Sequence, residues 1–239
     1  MKAKLIVHTG QKGGEGSGNF GHAGRPGEVG GSVVIGRDVS DLLVKRANEF
    51  ANNDEHIKEA AEQIAAKRIA GLTYNKLYSI ATEWLDTSTG SMNAVKLQEA
   101  ASRVFNIPIS GGLESELAKH RTGTYKVLGI TIQDKRIFDN NKAYDDSISA
   151  IYAHTQSKLR DMKLKPAHYV TVYRGVTKSY DVPSPLESYS LNAEVAKRFT
   201  GLYGGRMQTK KVLLKNILSV GGIGLLGGAS DAEVVVIGR

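Results

Sequence analysis

The period of the apolar residues changes once along this chain, and that change limits what it can fold into. From residue 38 to about residue 117 they recur at helical spacing, as in Ile57, Ala60, Ala61, Ile64 and Ala65. Beyond residue 168 they gather in short runs rich in Thr, Val and Tyr, which suit a pleated surface. Helices first, then several strands that do not alternate with helices, predict an α+β fold.

Capping signals divide the first part. Asp38 or Ser40 can open a helix through Phe50, Asn53 or Asp54 a second, and Thr73 a third through Trp84. A fourth is expected over residues 92–104, with a break from Asn106. Leu77, Ile80 and Trp84 read as core positions on the third helix. A later helix within residues 141–162 places Ile148, Ile151, Tyr152 and Leu159 on one face. Strands are expected over residues 168–176, 210–218 and 232–237, and a short helix over 191–200. The glycine-rich residues 221–228 read as a mobile hairpin or loop before the last strand.

Residues 10–31 hold ten glycines, so ordering them costs much entropy for little apolar burial. Gly16-Ser-Gly18-Asn-Phe-Gly21 matches the dinucleotide fingerprint G-x-G-x-x-G, but His22-Ala-Gly-Arg-Pro26-Gly follows it and cannot open the helix that fingerprint needs. Residues 1–37 are therefore expected to form a flexible segment. Residues 38–239 form the folded domain, with a helical part at 38–120 and a β-rich core at 121–239.

Composition narrows the chemistry. The chain of 239 residues has no cysteine, which excludes disulfides and thiol nucleophiles. No apolar run approaches the ~18 residues that span a bilayer, and Leu5-Ile6-Val7 is too short for a signal-peptide core. The six histidines are scattered without zinc-site spacing, so no metal is expected. The net charge is +8, and residues 121–239 carry all of it, with 18 Lys and Arg against 10 Asp and Glu. That basic balance suits a dinucleotide phosphate, an acidic protein or, on charge alone, nucleic acid, and it equally suits a solvated face.

Three motifs then fall in order: Tyr173-Arg174-Gly175, Ser188-Tyr189-Ser190 and Asp231-Ala232-Glu233, each in or beside a strand-like stretch. Singly, each is ordinary surface sequence. Together they supply a planar cation that can fork onto a phosphate, a hydroxyl that can fix a carboxylate, and a carboxylate that can face a cation-like ribose. This order resembles the R-S-E signature of mono-ADP-ribosyltransferases, strongly from Val172 to Arg239 and more loosely from Tyr74. The resemblance implies a helical part packed on a mixed β-sheet, and NAD as co-substrate. It also implies transfer of ADP-ribose to a macromolecular acceptor such as a host protein. By the same resemblance Arg174 and Gly175 hold NAD, Ser188 and Ser190 form the Ser-x-Ser, Phe199 packs on the nicotinamide, and Glu233 is the catalytic carboxylate. Asp231 takes the acceptor-selecting place, one methylene shorter than the family's usual Glu or Gln, and Tyr189 stands where Thr is common.

The string Asn19-Phe-Gly-His-Ala-Gly-Arg-Pro-Gly-Glu-Val-Gly-Gly-Ser32 resembles a glycine-rich motif of tailed-phage head-assembly and portal-associated proteins. It implies a phage origin, with a linker, docking or processing role, and location in a virion or the host cytoplasm. Two other readings stand beside the transferase: an NAD glycohydrolase with water as acceptor, and a non-catalytic phage head or portal-associated protein. No membrane association is expected.

Overall fold

The computed structural model describes residues 36–51, 53, 55–85, 92–109, 124–127, 130–133, 141–176, 184–203 and 205–238. The glycine-rich residues 10–31, the phage-like string and the turn expected after Trp84 lie outside them. Within them the helices are α1 (Ser40–Asn48), α2 (Glu55–Ala65), α3 (Tyr74–Leu85), α4 (Met92–Phe105), α5 (Asn141–Asp161) and α6 (Ala193–Tyr203). The strands are β1 (Thr124–Val127), β2 (Ile130–Gln133), β3 (Tyr169–Val176), β4 (Leu186–Ser190), β5 (Arg206–Leu213), β6 (Ile217–Val220) and β7 (Glu233–Ile237). The α+β class holds. The β1–β2 hairpin has no counterpart in the sequence reading.

The caps of α2 and α3 are those the sequence offers, whereas Val39 rather than Asp38 or Ser40 holds the N-cap position of α1 and no side chain of its own caps the helix. Asn53 Oδ1 accepts the Glu55 N–H and Thr73 Oγ1 accepts the Lys76 N–H, opening α2 and α3. Asn106, at φ 52°, ends α4 in the left-handed region that Asn tolerates. Asp38 accepts bonds from Ser40 and Thr171, and Val39 and Tyr169 share backbone bonds with β3 and Arg37. The start of α1 is thereby pinned to the sheet.

The main sheet runs β5-β3-β4-β7-β6, and every pair in it is antiparallel. This corrects the expectation of a mixed sheet. Its two faces bury two cores. Val235 and Ile237 join Ile57, Ile64, Leu77, Ile80, Leu97, Ile148 and Ile151 from α2 to α5. Val234 and Val236 turn the other way, to Leu43 and Ala47 of α1 and to Leu159, Val170 and Val172. A strand buried on both faces reads as a continuous apolar run, as β7 does. Each fully buried Val, Leu or Ile contributes about 1.5–3 kcal/mol relative to exposure.

Two local expectations are corrected. Residues 210–218 are not one strand: β5 ends at Leu213, a 3₁₀ turn occupies Leu214–Asn216, and β6 begins at Ile217. The two strands lie at opposite edges of the sheet, so the chain must leave its plane between them. Gln156 holds the crossing by donating to the carbonyls of Leu214 and Ile217. Residues 221–228 do form a loop, but a packed one, with 221–227 buried. Gly222 has φ 79°, and a Cβ there would stand 2.7 Å from Ala47 Cα. Ser219 Oγ clamps the loop by donating to Leu226 O and accepting its N–H.

Candidate active site

Strands β3 and β4 share a single paired couple, Tyr173 with Ser190, and the ladder goes no further. A cleft of about 220 Å³ opens where the two strands part. Arg174, Gly175, Ser188, Ser190, Phe199, Asp231 and Glu233 all line it, so every site residue named from sequence reaches one cavity. Tyr173, Tyr189, Val195 and Ala196 complete the lining. Gly175 is what lets the helix that carries Ala196 and Phe199 close on the strand that carries Arg174. A Cβ on Gly175 would meet Ala196 O at 2.6 Å and Phe199 Cβ at 2.9 Å, so only glycine lets α6 approach β3 this closely.

Glu233 is the first residue of β7 and is half-buried. Its carboxylate accepts three bonds from three elements. Ser188 Oγ of β4 donates to Oε1 at 2.5 Å, Trp84 Nε1 of α3 donates to Oε1 at 3.1 Å, and the Gly228 N–H donates to Oε2 at 2.8 Å. The backbone fixes its origin as well, since Glu233 N–H bonds Gly228 O and Glu233 O accepts the Gly221 N–H. Ala232 before it stands at φ 44°, a left-handed conformation that non-glycine residues seldom adopt and that is often found at functional turns.

The two serines do different work. Ser188 is exposed and bonds the Glu233 carboxylate. Ser190 is buried, donates to Asp231 O at 2.6 Å and accepts the Asn192 N–H, so its hydroxyl braces the turn that carries Asp231. Asp231 itself is exposed at the cleft. Phe199, which also lines the cleft, has 47% of its surface open to solvent, an uncovered ring at its edge.

Arg174 comes from β3. Its Nη1 lies 3.9 Å from Glu187 Oε1, and its guanidinium carbon lies 5.7 Å from the Tyr189 ring centroid. Burial first, then the bond it donates to Glu187, holds the Tyr189 phenol above its ordinary pKa. Lys210 is also raised: burial opposes its charge, but its bonds with Tyr189 and Glu187 outweigh that.

Sequence reading missed Trp84 and Glu187. Trp84 does pack against the helical core, as expected, yet its indole N–H reaches the site carboxylate. The available signal was the indole itself, because a Trp drawn into a core needs an acceptor for its N–H. A separate cavity of about 380 Å³ is lined by Arg46, His56, Glu59, His154, Lys158 and Asp161, among others, and none of the motif residues reaches it. Among the described residues no group of three or more His, Asp or Glu side chains is arranged to hold a metal ion, and no helix is long and apolar enough to cross a membrane. Comparison with protein-family models, curated proteins and solved structures gives no match for this chain.

Proposed function

We propose that this chain is an NAD-dependent mono-ADP-ribosyltransferase that breaks the nicotinamide–ribose bond of NAD and passes ADP-ribose to a macromolecular acceptor. The observation that carries the reading is the meeting of Arg174, Ser188 and Glu233 in one cleft, with Ser188 Oγ bonded to Glu233 Oε1. Three strands distant in sequence supply a cation, a hydroxyl and a carboxylate where an uncovered aromatic ring stands at the edge.

In this reading Arg174 binds the pyrophosphate, since a planar guanidinium offers two parallel donors to phosphate oxygens. Phe199 offers a flat apolar face to the nicotinamide. The carbon–nitrogen bond breaks with its electron pair going to the pyridinium nitrogen, so nicotinamide leaves neutral. The positive charge that remains on the ribose is stabilised by Glu233. Its carboxylate is already oriented by Ser188, Trp84 and Gly228, so little reorganisation is needed as that charge develops. The acceptor's nucleophile then bonds to the ribose carbon and loses its proton. In this reading the acceptor-facing residue is Asp231, which is exposed and lines the same cleft.

NAD labelled in its adenylate half, incubated with the protein and a bacterial lysate, tests this. Labelled macromolecule, absent with Glu233→Gln, is the expected result. Free ADP-ribose alone would make the protein a glycohydrolase. Intact NAD would leave the non-catalytic phage-protein reading.

A further inference from the structure

Strand β4 serves the cleft with both of its faces. Ser190 opposes Glu233 and Ser188 opposes Val235, which puts both serines on the face that holds the carboxylate. Glu187 and Tyr189 alternate to the opposite face, and there they meet Arg174 and Lys210. We propose that Glu187, Tyr189 and Lys210 are positioning residues for Arg174, a platform that fixes its guanidinium for an anionic diphosphate ligand. The inference rests on the NAD reading for the identity of that diphosphate.

The geometry divides the work between the two oxygens of Glu187. Oε2 accepts the Tyr189 hydroxyl at 2.6 Å and the Lys210 ammonium at 3.1 Å. Oε1 is the oxygen nearest Arg174, at 3.9 Å. The Glu187 side chain is only 12% exposed, so its charge must be compensated inside the protein. At 3.9 Å the attraction to Arg174 is an ion pair rather than a hydrogen bond, so it orients the guanidinium without consuming its donors. The Tyr189 ring, buried on the same face of β4 as Glu187, has its centroid 5.7 Å from the guanidinium carbon of Arg174, within cation–π range.

This accounts for Tyr189 at the centre of the Ser-x-Ser. A threonine there has neither a ring to lie against Arg174 nor the length to bond Glu187. It also accounts for Lys210 on the exposed edge strand. Without that cation Glu187 would draw Arg174 closer and take up the donors a phosphate needs.

The test uses Glu187→Gln and Tyr189→Phe, each alone and combined with Arg174→Lys. Two readouts are needed. In the ligand-free protein, nitrogen-15 relaxation of the Arg174 Nε–H reports its order, and each single variant is expected to make it more mobile. In turnover, each is expected to weaken NAD by about tenfold, as coupled contacts do, with the loss falling on KM more than on kcat. In the Arg174→Lys background the further loss should vanish. An equal loss in both backgrounds, or an Arg174 side chain as ordered as in the wild type, overturns the platform. A wild-type protein that neither binds nor consumes NAD overturns the transferase reading instead. The relaxation measurement then still decides the platform: added mobility upholds it and unchanged order rejects it. If Glu187→Gln fails to fold, Tyr189→Phe carries both readouts, because it keeps the ring and removes only the hydroxyl.

Discussion

The indole N–H of Trp84 donates to Oε1 of Glu233 at 3.1 Å, tying the end of α3 to the first residue of β7. A bond to a charged acceptor is worth about 1.5–3 kcal/mol. Trp84→Phe keeps most of the packing but frees the carboxylate on one side. The expected result is a kcat about tenfold lower or more, with NAD affinity nearly unchanged. Trp84 is also the only tryptophan in the chain. Its emission should therefore shift on saturation with NAD. A variant with wild-type kcat would remove Trp84 from the site.

Glu233→Gln isolates the charge from the shape. Losing a positioned electrostatic stabiliser costs about 10²–10³ in rate. There is a second consequence. All three groups around the carboxylate are donors, so an amide nitrogen must face one of them. A donor left unpaired costs about 1–3 kcal/mol, and urea unfolding should show that loss. Turnover within about threefold of wild type, far short of the expected loss, would reject Glu233 as the catalytic carboxylate.

Much of the lining of this cleft was legible because it falls in three short motifs on or beside strands. Capping by Asn53 and Thr73 was equally legible, since a cap is a local event. What sequence could not give was distance. Trp84 meets Glu233 across 149 positions, and only the packing of α3 against the sheet brings them together. The break between β5 and β6 falls at the polar pair Lys215-Asn216, a local signal that the single expected strand over residues 210–218 passed over. Gln156, far away on α5, holds the turn there through the carbonyls of Leu214 and Ile217. The glycines of residues 221–228 suggested mobility, yet the loop is packed: Gly222 closes on Ala47 of α1, Gly221 on Gly228, and Gly224 on Ser219 and Thr155. Glycine marks both uses, and composition cannot separate them.

Gly175→Ala tests the close approach that builds the cleft. The added carbon would stand 2.6 Å from a backbone oxygen of α6, which cannot swing aside as a side-chain tip can. Overpacking of this kind costs about 1–3 kcal/mol. The helix should move off β3, carrying Phe199 with it, so NAD binding should weaken together with a lower urea midpoint. Unchanged values for both would mean that α6 yields freely and that the glycine has no such role.

His154 should make stability pH-dependent in one direction. It is 3% exposed on α5, and its pKa falls from 6.5 to about 4. Burial is the main cause, Lys158 and Lys67 add repulsion, and Glu59 opposes them. Between those two values the unfolded chain takes up a proton that the folded one refuses. Unfolding then gains free energy as pH drops, so stability should fall from pH 6.5 toward pH 4. A shift of that size corresponds to about 3 kcal/mol at most. Urea unfolding at pH 7 and at pH 4.5, for the wild type and His154→Asn, separates this group from the others that titrate. The wild type should lose more stability on acidification than the variant does. Equal losses would show that His154 takes up its proton in the folded protein as readily as in the unfolded chain.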